Sequence, residues 1–149
     1  MGKLIAALTL AFCLGCLPAA AQTAADVDAA IERNLGAPEL YRAAFDAIQA
    51  AVAGGDGAGF ASYVAFPITV TADGEAMVIG DAAQFIEHYD GIVTDEITAA
   101  ITGQQWEALF VKYQGVMFGN GQVWMNGICK DDACAAFDVK IITIQSTAS

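Results

Sequence analysis

The chain has 149 residues and a formal net charge of −11 at neutral pH, because 17 acidic residues outnumber six lysines and arginines. This charge disfavours nucleic acid as a partner, since binding to a phosphate backbone depends on cationic side chains that neutralise it. A chain of this length suits one compact domain rather than two.

The first 21 residues have the organisation of a cleavable secretion signal. Lys3 is the only charge, the segment Leu4–Leu17 is apolar, and a small-residue cleavage site ends at Ala21. The apolar run of about 14 residues is shorter than the roughly 20 that a membrane-spanning helix needs. We therefore predict a signal peptide over residues 1–21, a periplasmic or secreted location, and no transmembrane segment in the mature chain.

A lipoprotein is the alternative form of export. Leu14-Gly15-Cys16 resembles the end of a bacterial lipobox, in which the cysteine is acylated. Cys13, however, stands at the position where an aliphatic residue is usual, and the small-residue cleavage site follows directly. We therefore favour cleavage after Ala21 over lipidation through Cys16.

Cys129 and Cys134 are the cysteines that remain after the predicted cleavage. Alternating apolar segments flank them on both sides, and an exported protein meets an oxidising environment, so we predict a disulfide at the end of a hairpin. A loop this short gives a modest chain-entropy stabilisation of about 2 kcal/mol or less. The C-x4-C spacing does not match the C-x-x-C of redox-active pairs.

The N-terminal part of the mature chain is predicted to be helical. A short Ala-rich helix ends near Gly36, and a second helix begins at Pro38, where a first helical position tolerates the missing N–H. Apolar residues at spacings of three and four continue this second helix to Gly54. Residues 54–59 are rich in glycine, which predicts a flexible connection.

The middle of the chain changes to an alternating pattern. Residues 66–71 predict a strand, Asp73-Gly74 predicts a two-residue turn, and residues 77–79 form the returning strand. Asp81 has the position of a helix cap, and a second short helix begins at Thr94.

Residues 109–119, 122–129 and 135–145 predict three long antiparallel strands, with an Asn120-Gly121 turn between the first two. Helices followed by such strands predict an α+β domain over residues 22–149.

Five segments carry a family resemblance: Phe66–Ile68, Phe85–Ile86, Tyr89–Asp90, Leu109–Val111 and Gln114–Trp124. They resemble a group of small secreted bacterial proteins of unknown function that are similar to the nuclear transport factor 2-like, or cystatin-like, fold. The resemblance covers roughly residues 60–144. It implies N-terminal helices packed on a strongly bent antiparallel sheet that forms a cone, and it assigns no catalytic residue. Enzymes, ligand binders and dimerisation modules all use this architecture.

His88 is the only histidine and lies beside Tyr89 and Asp90. An imidazole near a carboxylate can act as a general base. Adjacent residues on a helix do not face each other, however, so we favour a packing or surface role for His88. The sequence has one histidine and no H-E-x-x-H pattern, so we predict no transition-metal site. The two loop acids Asp131 and Asp132 are weak evidence for a calcium site, and we predict no cofactor.

Aromatic and amide side chains on the predicted strands and helices are candidates for a binding pocket. Aromatics with one polar tip suit a small apolar or planar ligand. The alternative is that the aromatics are cross-strand core partners. The candidates are His88, Tyr89, Trp106, Tyr113, Gln114, Trp124 and Asn126.

We predict an exported, non-enzymatic domain that binds a small molecule or a protein in or beside the concavity of the sheet. One alternative is an isomerase or dehydratase that uses a pocket acid or His88. The other is a homodimeric structural module whose open sheet face forms the interface.

Overall fold

The computed structural model of the chain describes residues 21–72 and 74–146. The predicted signal peptide, apart from Ala21, lies outside these residues, as do the lipobox-like Cys16 and Asp73 of the predicted turn. Within these two ranges, every helix is too short or too polar to cross a bilayer.

The helices begin where the sequence offers capping side chains. Thr23 and Asp26 form a reciprocal capping box at α1, and the side chains of Asp81 and Thr94 accept main-chain N–H groups at α4 and α6. Pro38 opens α2 as predicted. A 3₁₀ turn spans Trp106–Ala108. The helices are α1 Ala24–Asn34, α2 Pro38–Ala53, α3 Gly57–Ala61, α4 Ala82–Glu87, α5 Tyr89–Ile92 and α6 Asp95–Thr102.

Six strands form one sheet in the order β2-β1-β6-β5-β4-β3. The sheet is curved and open. Helices followed by such a sheet confirm the α+β class and are consistent with a cone-like fold. The strands are β1 Ile68–Ala72, β2 Glu75–Ile79, β3 Phe110–Lys112, β4 Gly115–Phe118, β5 Val123–Cys129 and β6 Phe137–Gln145.

The sheet is mixed, so the prediction of a purely antiparallel sheet is wrong at one pairing. β1 and β6 run parallel, with Val70 opposite Ile144. The other strand pairs are antiparallel. A hairpin imposes antiparallel pairing only on strands that are neighbours in the sequence, whereas β1 and β6 are joined by a long stretch of chain that allows either direction.

Three predicted segments are subdivided. The predicted strand over residues 109–119 is two strands, because Tyr113 and Gln114 form a turn before Gly115. The predicted helix after Asp81 is interrupted at His88. Part of the predicted glycine-rich connection is helical, because Asp56 caps α3 by accepting from the Gly59 N–H.

The helices cover one face of the sheet, with α1 against β3, α6 against β5, α2 against β6 and α5 against β1. Packed aromatic rings fill the space between the two layers. Phe45 stacks on Phe118 at 5.3 Å between centroids and meets Trp106 edge-on at 5.2 Å. Phe60 stacks on Phe85 at 5.5 Å. The concavity of the sheet is thus filled by side chains of the protein itself.

The predicted disulfide between Cys129 and Cys134 is confirmed. It closes the exposed end of the β5–β6 hairpin, where Lys130 also pairs with Asp138 at 2.8 Å. Both links join the ends of the same two strands, so they stabilise the β5–β6 pairing at the end of β6 opposite to the one that pairs with β1.

Candidate functional site

The face of the sheet opposite the helices, called the outer face here, carries a row of partly exposed side chains. The register places Phe110, Met117, Trp124 and Thr143 side by side across β3, β4, β5 and β6. The neighbouring positions, such as Val116 and Met125, are fully buried toward the helices. Because side chains alternate along a strand, the first row must lie on the outer face.

Lys112, Trp124 and Phe110 form a cluster on the outer face. The Lys112 ammonium lies 4.7 Å from the centroid of the Trp124 ring and 5.9 Å from that of Phe110. The two rings meet edge to face at 6.4 Å. A cation above an indole face is an attractive contact, which holds the lysine over the sheet. Phe110 is nonetheless 51% exposed.

An open cavity of about 390 Å³ lies beside this cluster. A β-bulge between Trp124 and Met125 shifts the register against β6, where Ile142 is the extra residue. Ile142 thereby contributes an apolar wall, and three polar side chains complete the rim. The cavity is lined by Lys112, Gln114, Trp124, Ile142, Thr143 and Gln145.

Charge is distributed unequally between the two layers. Among the described residues, Glu75 and Asp138 are the acids located on strands, whereas the others lie on helices, their caps and the loops. Lys112 is the one charged side chain among those that line the outer-face cavity. The cavity is therefore a positively charged site on a strongly acidic protein.

Two of the predicted pocket residues, Gln114 and Trp124, line this cavity. Tyr113 lies next to them in the β3–β4 turn and is 73% exposed. Asn126 also lies near them, since its Nδ2 donates to Gln114 O at 3.2 Å, whereas the other candidates lie on the helical layer. The structure therefore brings only part of the predicted set together.

Trp106 and Asn126 have partners within the fold. Trp106 is buried, its Nε1 donates to Asp28 at 3.0 Å, and the Arg42 guanidinium lies 4.2 Å above its ring. Arg42 also pairs with Asp28 at 3.2 Å. The Asn126 amide oxygen accepts from the Tyr41 hydroxyl at 3.0 Å. These contacts tie helices to one another and to the sheet.

His88 lies between α4 and α5, and Tyr89 is the first residue of α5, so both are on the helical layer. His88 is exposed, whereas the Tyr89 ring packs edge-on against Phe60 at 6.2 Å. Burial raises the pKa of Tyr89, and the charges of Asp56 and Asp90 raise it further.

The half-buried acids are bonded to groups other than the histidine. Glu96 accepts from Gln122 at 3.1 Å and from Ser146 at 2.7 Å, and Asp28 is held by Trp106 and Arg42. Neither of these two acids pairs with His88, and no ion pair of His88 is present among the described residues. Within residues 21–72 and 74–146, no group of three or more His, Cys, Asp or Glu side chains is placed to hold a metal ion.

Lys112, Ile142, Thr143 and Gln145 line the cavity but were not singled out from the sequence. Lys112 follows Phe110 by two residues, and this i, i+2 spacing on one strand is the signal that places both on one face. The position of Ile142 depends on the bulge, which no local pattern in the sequence indicates.

A scan against protein-family models, a search of curated proteins and a search of solved structures each found no match. The resemblance to nuclear transport factor 2-like proteins thus stays a prediction that rests on the segments quoted above.

Proposed function

We propose that this chain is an exported, non-enzymatic binding domain that holds a small planar molecule in the outer-face cavity. The observation that carries the proposal is the Lys112 ammonium 4.7 Å above the ring of Trp124 at the edge of that cavity. An aromatic plane, a cation and a few polar tips are the usual components of a site for a planar organic ligand.

The packing favours the outer face over the concavity. Phe45, Phe118 and Trp106 are at most 5% exposed and fill the space between helices and sheet. A ligand there would have to displace them, and removing large buried side chains from a packed core costs several kcal/mol, of the order of 3–5 each. The outer-face cavity needs no such rearrangement.

The ligand should be an anion as well as planar. Lys112 supplies the charge, while the amide groups of Gln114 and Gln145 and the hydroxyl of Thr143 supply hydrogen bonds. A carboxylate on an aromatic ring satisfies both requirements, because the ring stacks on Trp124 as the carboxylate approaches the ammonium. The rest of the acidic surface repels such a ligand and directs it to this cavity.

Two further features support export and family membership as parts of this proposal. The disulfide between Cys129 and Cys134 is of a kind that persists in oxidising compartments. Helices on one face of a curved, open, six-stranded sheet agree with a member of the nuclear transport factor 2-like fold. Intact mass of the protein recovered from the periplasm tests cleavage after Ala21.

The test is a titration with benzoate, 1-naphthoate and indole-3-acetate, followed by thermal shift in every variant. Fluorescence of Trp124 in a Trp106→Phe background gives a second readout for benzoate in the proteins that retain Trp124. We expect at least one of these probes to bind the parent protein. Trp124→Ala should abolish binding, and Lys112→Gln should weaken the carboxylates more than the corresponding neutral amides.

Val78→Ala is the matched control, because Val78 is 64% exposed on the same outer face but lies on β2, away from the cavity. It should leave probe binding unchanged. Saturable binding that survives both Trp124→Ala and Lys112→Gln, or no response to any probe, contradicts the assignment of the cavity.

A homodimeric module is the second candidate, favoured by the scarcity of acids on the outer face. Two copies that meet through this face keep their acidic helical layers apart, so Coulomb repulsion is smallest in that orientation. Light scattering should then give twice the mass of one chain, and Phe110→Asp should return it to one. A monomer at all concentrations leaves the small-molecule site as the function of this face.

A further inference from the structure

A second surface groove lies between α2 and the first half of β6, and it shares no lining residue with the outer-face cavity. Its volume is about 380 Å³. α2 forms one wall, the turn before β1 closes one end, and four consecutive residues of β6 form the floor. The lining residues are Leu40, Ala43, Ala44, Ser62, Tyr63 and residues 137–140.

The floor of the groove is an open strand edge. Further along β6, Ile141 donates its N–H to Tyr63 O at 2.6 Å and accepts from the Ala65 N–H at 2.9 Å. Residues two apart on a strand direct their main-chain groups to the same side. The N–H and C=O of Val139 and Phe137 therefore point away from β5, into the groove.

The partner strand supports this assignment. Gly127 lies opposite Val139 in the β5–β6 pairing. Its N–H donates to the Tyr41 hydroxyl at 2.9 Å and to the Asn126 side chain at 2.8 Å. Gly127 and Val139 thus form a pair without mutual hydrogen bonds, as the alternation requires.

The walls of the groove are apolar and roomy. Leu40 is 43% exposed, and Tyr63 and Phe137 are half-buried. Ala43 is exposed and small, so it leaves space above the floor of the groove. An extended chain with alternate apolar side chains fits such a surface, since main-chain hydrogen bonds hold it and pockets take every second side chain.

The charge of the protein favours a cationic occupant, because the chain carries a net charge of −11 and two exposed acids flank the groove on α2 without lining it. Glu39, Ala43 and Asp46 follow one another at spacings of four and three on α2, so both acids lie on the stripe that carries Ala43. On the opposite wall Asp138 is exposed, although Lys130 contacts it at 2.8 Å. Lys140, also in the lining, donates to Ser62 O at 2.6 Å.

We propose that this groove binds a short, extended, basic segment of another protein, which adds as a strand to β6 at Phe137–Val139. The open edge of four residues measures roughly 13 Å at about 3.3 Å per residue, so three or four residues of the partner pair with it. The disulfide and the Lys130–Asp138 contact hold the β5–β6 hairpin together next to this edge. The edge therefore keeps its conformation when no partner is bound.

The first test is amide hydrogen exchange of the free protein, read residue by residue by NMR. We expect the Val139 amide to exchange much faster than those of Lys140 and Ile141, because Lys140 pairs with β5 and the Ile141 N–H donates to Tyr63 O, whereas the Val139 N–H faces the groove. A Val139 amide as protected as Ile141 would overturn the open edge.

The second test uses a fluorescent probe peptide, acetyl-Lys-Val-Lys-Val-Lys-amide, measured by anisotropy. Binding should protect the Val139 amide, and a peptide with N-methylated valines should lose at least about tenfold in affinity because it cannot complete the strand pairing. Ala43→Trp, which fills the groove, should lower the affinity for the unmodified peptide by a similar factor.

Ala50→Trp is the matched control, because Ala50 is exposed on α2 one heptad further along and outside the groove. It should leave probe affinity unchanged. Equal binding of the N-methylated peptide, equal binding to the Ala43→Trp protein, or no binding at about 1 mM peptide would each overturn the proposal.

Discussion

Tyr41 is a buried polar side chain whose hydroxyl group both donates and accepts a hydrogen bond. The residue is 1% exposed, donates to the Asn126 side chain at 3.0 Å and accepts from the Gly127 N–H at 2.9 Å. Desolvation raises the pKa of this hydroxyl, outweighing the Gly127 hydrogen bond, which lowers it. Tyr41 therefore links α2 to β5 while it remains neutral.

We predict that Tyr41→Phe lowers the free energy of unfolding by about 1–2 kcal/mol at pH 8, because it removes the hydrogen bonds of the hydroxyl to Asn126 and Gly127. Urea denaturation measures this loss. Tyr113→Phe is the control, since Tyr113 is 73% exposed and its hydroxyl remains in water. Equal stability of the two variants would show that the Tyr41 hydrogen bonds contribute nothing.

The same residue predicts an alkaline dependence. A pKa that is higher in the folded than in the unfolded protein means that the folded state retains the proton above about pH 10. The stabilising contribution is complete below that pH and is lost as the pH rises through the folded pKa. Stability should therefore fall above pH 10, and less steeply in Tyr41→Phe, with Tyr89 adding a contribution of the same sign.

The β3–β4 hairpin positions Lys112 and Gln114 at the outer-face cavity, and its turn depends on Gly115. Gly115 has a φ of +136°, a conformation that side-chain-bearing residues rarely adopt. A Cβ atom there would lie 2.5 Å from the main-chain oxygen of Met125 on the neighbouring strand. The close approach of β4 to β5 thus requires glycine at this position.

We predict that Gly115→Ala destabilises the fold by about 1–3 kcal/mol or more and weakens ligand binding at the cavity. Gly91→Ala is the matched control, because Gly91 lies in α5, has no atom within 4 Å of an added Cβ, and has no positive φ. It should be neutral or stabilising by up to about 1 kcal/mol. Thermal denaturation of both variants tests the pair, and a harmless Gly115→Ala would contradict the tight turn.

The molecule as a whole separates its charges, with the acids concentrated on the helices, caps and loops. With a net charge of −11, these acids repel one another across the helical surface. Most are exposed, so dissolved ions screen them efficiently. The acid-poor outer face is where an anion or a second acidic molecule meets the least repulsion.

We predict that the melting temperature rises between about 20 mM and 300 mM NaCl, because screening relieves this repulsion. Replacing two exposed helical acids, by Glu32→Gln with Asp46→Asn, should raise the melting temperature at low salt and reduce its salt dependence. The same salt increase should weaken carboxylate probes at Lys112. A melting temperature that falls with NaCl would contradict the repulsion.

Much of the secondary structure follows from interactions between residues three or four positions apart. Three helices begin with a side chain that accepts a hydrogen bond from the main-chain N–H three residues later, namely Thr23, Asp81 and Thr94. A capping residue of this kind indicates in the sequence where a helix begins. The disulfide is equally local, since its two cysteines are five positions apart. The caps at Asp81 and Thr94 and this bridge were predicted for that reason, whereas the Thr23 cap was not singled out from the sequence.

The candidate site depends instead on residues that are distant in the sequence. Trp106 and Trp124 are indistinguishable by residue type, yet packing with Asp28 and Arg42 buries the first, and the register of β5 with β4 turns the second outward. The parallel pairing of β1 with β6 joins segments about 70 residues apart in the same way. Such contacts depend on how all the elements pack together, so they cannot be predicted from local sequence patterns.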